Sequence, residues 1–136
     1  MRLVEHTHAL ILGLRDTRGG APDGAAFLAS FLFPDGEVHL NDVVEGPRGP
    51  TRQYWTSSYV PGSRYADRPI YALTSANTFS GGEELVYDLQ ARRRATIIGR
   101  DDTGGAHPSE VVSLGMHVEL RLPVACALNP VTGGNW

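Results

Sequence analysis

The chain has 136 residues, 41% hydrophobic and 20% charged, with a formal net charge of -3. That length suits one domain with a single core, and the acidic balance gives no long-range pull toward nucleic acid or an anionic membrane. All 12 Lys+Arg residues are arginines, which excludes a serine-lysine dyad, a Schiff-base lysine and a phosphate-loop lysine together, so any basic catalyst is a histidine or a carboxylate. The 16 glycines and 9 prolines indicate many turns and argue against a helical bundle. The single cysteine, Cys126, cannot bridge within the chain and sits in the apolar stretch 124–128, so it reads as a buried, inert thiol. The N-terminal apolar run 9–14 is too short for a membrane span and no small-residue cleavage site follows it, so a soluble cytoplasmic protein without membrane contact is expected.

In chain order, residues 9–14 read as a strand buried on both faces of a parallel sheet. A glycine turn at 15–20 leads to a helix over 23–33, with Phe27, Leu28, Phe31 and Leu32 as its apolar stripe between Pro22 and Pro34. A second strand is predicted at 38–44. Residues 45–67 read as a long loop, strand in part, whose Tyr54, Trp55, Tyr59 and Tyr65 either line a pocket or pack onto the sheet. A third strand at 70–74 runs through a turn into a helix over 80–93, which buries Leu85, Val86 and Leu89 and leaves Glu83, Glu84, Asp88 and Gln90 for solvent. Its acidic front and arginine end suit the helix dipole. A fourth strand at 95–99, a polar loop at 100–109 and strands at 111–113, 116–122 and 124–128 complete an α/β pattern, strand-rich toward its end. No repeat or linker divides it, so residues 1–136 read as one domain.

The segment 74–90, TSANTFSGGEELVYDLQ, carries the most chemistry. A serine at a strand-to-helix turn projects its hydroxyl from the helix N-terminus, where free amides such as that of Gly81 can stabilise an oxyanion. Ser80 and Glu83 also spell S-x-x-E, the capping box in which the serine is occupied by the helix, so both readings stand. His107, in the polar loop, is the best internal general base, with a backbone-bonded loop histidine as its alternative. His6 and His8 lack a third ligand, so no metal is expected, and Asp101 and Asp102 read as turn residues.

Several stretches taken together resemble the C-terminal processing (tail-specific) peptidases, in the branch similar to interphotoreceptor retinoid-binding protein and the tricorn core. They are LILGLRDTRGG at 10–20, PDGAAFLASFLF at 22–33, HLND at 39–42, YALTSANTFSGGEELVYDLQARRRATIIG at 71–99, TGGAHP at 103–108 and NPVTGGNW at 129–136. The resemblance implies a ClpP/crotonase-like fold of strand-strand-helix turns, Ser80 as nucleophile, and an oxyanion hole in which amides near Gly19 and Gly20 join Gly81. The family's dyad lysine would fall near Gly105, in keeping with a chain that has none. Against the family's D-L-R-G-N-G-G-G turn this chain has Asp16 and Arg18 in place of two glycines, and its second hallmark loop is rewritten at 100–103. A shortened catalytic core is therefore expected, without cofactor, acting on a peptide or small-molecule ligand as a homo-oligomer or with a partner subunit. The alternatives are a catalytically altered relative repurposed for small-molecule binding or tailoring, and a subunit completed by another chain.

Overall fold

The computed structural model describes residues 2–34, 36–46, 48–100 and 104–136. Among them the element order is β1 (Leu10–Gly13), α1 (Pro22–Ser30), β2 (His39–Glu45), β3 (Thr51–Trp55), β4 (Ile70–Thr74), α2 (Gly81–Ala91), β5 (Thr96–Gly99), β6 (Ser109–Gly115), β7 (Val118–Pro123) and β8 (Ala125–Leu128). This is a mixed α/β protein with eight strands and two helices among the described residues. The long loop expected at 45–67 is interrupted by β3, which pairs antiparallel with β2.

Three small sheets result, with strand orders β1-β4-β5, β3-β2-β8 and β6-β7. The first is parallel, with Leu10 beside Ile70 and Tyr71 beside Thr96. Ile70, Leu85, Leu89, Leu32, Leu40, Tyr54 and Tyr65 form one core beneath it, against which Leu10 and Leu12 pack. Alternation puts Ile11 on the other face, where it is 65% exposed. The expectation that β1 is buried on both faces is thus corrected, because no described helix covers that side and Ile98 is open there too.

Helix α1 ends earlier than its apolar pattern, at Ser30, whose hydroxyl donates to Ala26 O at 2.7 Å and competes with the backbone ladder. Phe31 and Leu32 are buried just past the helix, while Phe27, expected in the stripe, is exposed. Helix α2 ends at Ala91, so the arginines expected to complement its dipole lie beyond it. They hold neighbouring segments instead: Arg92 donates to His39 O, and Arg94 to the carbonyls of Leu32, Tyr65 and Arg68. The larger correction concerns the acidic face of α2. Glu83, Glu84 and Asp88 are all buried, and only Gln90 of the expected solvent face is exposed. Cys126 is half-buried rather than buried. No described helix is long and apolar enough to cross a membrane.

Candidate functional site

The three parallel strands deliver their carboxyl ends to one place, which is where open α/β sheets put their chemistry. Beyond β1, the turn at 15–20 is tied to the segment after β4: Phe79 N–H donates to Thr17 O at 2.9 Å, Thr78 Oγ1 to Leu14 O at 3.0 Å and Ser75 Oγ to Arg15 O at 2.5 Å. After β5, Thr74 Oγ1 donates to Arg100 O at 3.0 Å. Asp101 and Asp102 lie outside the described residues.

Ser80 stands at the N-terminus of α2 with φ 54° and ψ -120°. A non-glycine residue in that region is strained, and the surroundings must hold it there. An ordinary N-cap is extended; Ser80 is not, although both halves of the capping box are in place, with the Ser80 side chain toward the Glu83 N–H and the Glu83 side chain toward the Ser80 N–H. In the Glu83 half, Ser80 N–H donates to Glu83 Oε2. Glu83 also accepts from Gly104 N–H at 2.7 Å and Gly105 N–H at 3.0 Å, which fixes the 104–105 turn against the start of the helix. A buried carboxylate with three backbone donors is thus the post that Ser80 and the following loop share.

The glycines here are set by contact. A methyl group at Gly19 would lie 2.9 Å from Ser80 Cβ and 3.3 Å from Ser80 Oγ, and Gly19 has φ 117°. One at Gly81 would lie 2.8 Å from Gly20 O and 3.1 Å from Gly20 N, so the 19–20 turn and the first residues of α2 touch backbone to backbone. At Gly105 a methyl group would meet Phe79 Cε2 at 2.6 Å and Glu83 Oε2 at 2.8 Å. The position where the resemblance would place a lysine has no room for a side chain unless Phe79 and Glu83 move.

Ser80 and His107 line the same hollow, about 290 Å³, together with Gly20, Asn41, Glu84 and Trp136. His107 is exposed at its rim, and no described residue hydrogen-bonds its ring. The aromatic residues expected to line a pocket are elsewhere. Tyr54 and Trp55 border a separate hollow of about 300 Å³ beside α1, exposed Tyr59 borders a third of about 470 Å³, and Tyr65 is in the core with its hydroxyl 3.2 Å from Thr7 Oγ1. His6 is exposed beside Glu5, and among the described residues no cluster of His, Cys, Asp and Glu has metal-site geometry. His39 pairs with Asp42 at 2.7 Å and stacks on Trp55, away from Ser80's hollow.

Sequence reasoning missed the buried polar row behind this hollow. Asn41 Nδ2 donates to Glu84 Oε1 at 3.2 Å, and Asn129 Nδ2 donates to Asp88 Oδ1 at 3.0 Å and to Leu40 O at 3.1 Å. Burial raises the Glu84 pKa; the Asn41 hydrogen bond opposes that rise and the charge of Asp23 adds to it. Asp88 is pushed up to about 8, first by burial and then by the neighbouring Glu84, against the pull of Asn129 and Arg92. The available signal was the spacing: Glu84 and Asp88 are one turn apart and flank the buried Leu85 on the same side of the helix.

The sequence model of peptidase family S41 matches residues 1–134. Among solved structures, the photosystem II D1 C-terminal processing protease superposes with a TM-score of 0.70 at 21% identity, covering 94% of this chain and 31% of that one. Mature CPAF complexed with lactacystin superposes with a TM-score of 0.74 at 13% identity, covering 99% of this chain and 40% of its own. A lipoprotein from Streptococcus agalactiae gives 0.66 at 19% identity, with 95% and 46% covered. The chain thus spans less than half the length of each of these proteins and shares their fold over nearly all of its own.

Proposed function

Since this chain belongs to peptidase family S41, we propose that it carries a serine-type hydrolase centre at Ser80 that acts on a peptide bond by acyl transfer. The observation that carries this reading is the strained backbone of Ser80, φ 54°, at a strand-turn-helix junction facing a hollow. An ordinary cap needs no such strain, whereas a nucleophile elbow uses it to present the hydroxyl. Ser80 Oγ attacks the substrate carbonyl carbon while His107 takes the hydroxyl proton. The oxyanion is received by amides of Gly81 and of the Gly19 and Gly20 turn, which the backbone contact of Gly20 with Gly81 brings together. The C–N bond then breaks, His107 returns the proton to the leaving amine, and water releases the acyl group from Ser80 by the same steps. A ClpP/crotonase-like arrangement of the whole protein belongs to the same proposal.

One feature favours the rival reading of a binding protein that has lost its peptidase: the His107 ring has no orienting partner among the described residues, whereas a working base is held by a third group. A fluorophosphonate probe separates the two. Ser80 labelling, located by mass spectrometry, that vanishes in Ser80→Ala and falls with His107→Ala is the expected result. Ser80 unlabelled across pH 5 to 9 would sink the hydrolase.

A further inference from the structure

The strand β6 has a free edge that begins at the Ser80 hollow. Before β6, Ala127 N–H donates to Ala106 O at 3.1 Å, and the N–H groups of Val124 and Ala125 both reach Pro108 O, at 2.9 and 3.3 Å. Two successive amides on one carbonyl make a bulge, and beyond it the same segment continues as β6, with Ser109 beside Pro123 and Val112 beside Leu120. Backbone groups alternate between the two edges of a strand, so those of residues 106 and 108 face 124–127, and those of His107, Ser109 and Val111 face away. Pro123 agrees with this, since a residue without an N–H stands opposite Ser109 where no ladder bond is needed. The sheet ends at β6, and among the described residues neither the N–H nor the C=O of His107 has a partner.

Exposed edges are usually blunted by lysine, proline or a bulge. Over 107–112 this one is open: the chain has no lysine, the N–H that Pro108 lacks would face 124–127, and the bulge at 124–125 is on the opposite strand. The outer edge of β7 leads into β8, which is covered by β2, whereas the β6 edge leads into the hollow that Gly105, His107 and Ser109 line with Ser80. Beside it lies the apolar face of Val112, Leu114, Val118 and Leu120, between 39% and 61% exposed.

We infer that residues 107–113 are a docking edge on which an extended, unfolded polypeptide substrate adds to β6 as a third strand. This rests on the Ser80 reading above for the cleavage itself. From His107 to Ser113 the edge is about 20 Å long, which takes a segment of about six residues. Main-chain hydrogen bonds to His107, Ser109 and Val111 supply the affinity, and alternate apolar side chains of the substrate pack beside Val112 and Leu114. A helical or already paired segment has no free backbone to offer, so the edge selects unfolded chain of alternating polarity.

The probe is acetyl-Ser-Val-Ser-Val-Ser-Val-amide, with acetyl-Ser-Val-amide as the short control, added to the Ser80→Ala chain and followed by NMR. The hexapeptide should slow amide exchange at Ser109 and Val111 at least about tenfold and the dipeptide should not, while Val112, whose amide is turned to β7, should change little. Val111→Pro removes an N–H that the hairpin does not use, so it should keep the urea midpoint yet bind the hexapeptide at least about tenfold more weakly, the scale of one lost hydrogen bond. Val111→Ala keeps that N–H and should stay within about threefold of the wild type. If Val111→Pro fails to fold, the exchange pattern of the Ser80→Ala chain decides alone. Protection without turnover of the matching coumarylamide hexapeptide by the wild type keeps the edge and removes the nucleophile. Turnover that Val111→Pro leaves undiminished keeps the nucleophile and overturns the edge. Protection of Ser109 and Val111 that grows with protein concentration in the absence of peptide gives the edge to a second copy and overturns it too, as does no protection at all.

Discussion

The turn that starts α2 and the hairpin β6–β7 are both mixtures of polar and apolar residues, yet they are held in opposite ways. Around Ser80, hydrogen bonds bind residues 14–17, 75–83 and 104–105 into one unit, and Glu83 at its centre is fully buried. In the hairpin every residue from Glu110 to Val124 is exposed, and its strands pair mainly with each other. Local pairing is enough to shape a hairpin, but it cannot hold a strained serine. Strain at Ser80 survives only because partners distant in sequence over-determine it.

The largest effect should follow from removing the post at the centre of the first region. Glu83→Ala leaves the N–H groups of Ser80, Gly104 and Gly105 without their acceptor. With about 1–3 kcal/mol for a buried donor left unpaired, and with water free to replace the acceptor at exposed Gly104, the loss should be about 2 kcal/mol or more, read as a lower urea midpoint. Ser80 should also lose its labelling, since nothing then ties its backbone to the loop that carries His107. A variant that keeps both stability and labelling would show that the strain is held elsewhere.

A smaller effect, graded by pH, should come from the next turn of the same helix. Asp88 has an ordinary value of 3.8 and is raised to about 8 in the folded chain. The folded state therefore holds a proton that the unfolded chain gives up, so this contribution is complete below about pH 4 and is lost as pH rises toward 8. Within that window each pH unit costs at most about 1.4 kcal/mol. Asp88→Asn keeps an acceptor for Asn129 Nδ2 and cannot ionise, so its denaturation midpoint should be flatter between pH 5 and 8 than that of the wild type. Parallel profiles would place the charge elsewhere, Glu84 first.

The difference between the two regions also explains what was legible in the sequence. Strand positions such as 70–74 and the α/β order could be read because alternation, glycine and proline act locally. Ser80 and the glycine turn were legible as residue types, since a serine before two glycines has few uses. The burial of Glu83, Glu84 and Asp88 was not legible. Their partners Gly104, Asn41 and Asn129 are 21, 43 and 41 residues away, and the hydrogen bonds they form leave no trace in helical periodicity. A solvent-facing reading of acids on a helix is the ordinary one, and tertiary contact overrode it. The early end of α1 has the same origin, since Ser30 also accepts from Ser57 N–H at 2.8 Å.

The smallest effect on folding belongs to the hairpin, and it sharpens the contrast most. Cross-strand pairing puts Val112 beside Leu120, and Val111 beside Arg121 on the other face. The first face continues to Leu114 and Val118, which are 61% and 54% exposed, and no described element packs on it. A side chain that is already in water contributes little to the folded state, so Leu114→Ser should change the unfolding free energy by no more than about 0.5 kcal/mol. Ser80 labelling should be unchanged, because the hydrogen-bonded unit around it contains no residue of this face. A urea midpoint shifted as far as that of Glu83→Ala would mean that the face is buried in solution, and the two regions would then be held by the same kind of contact.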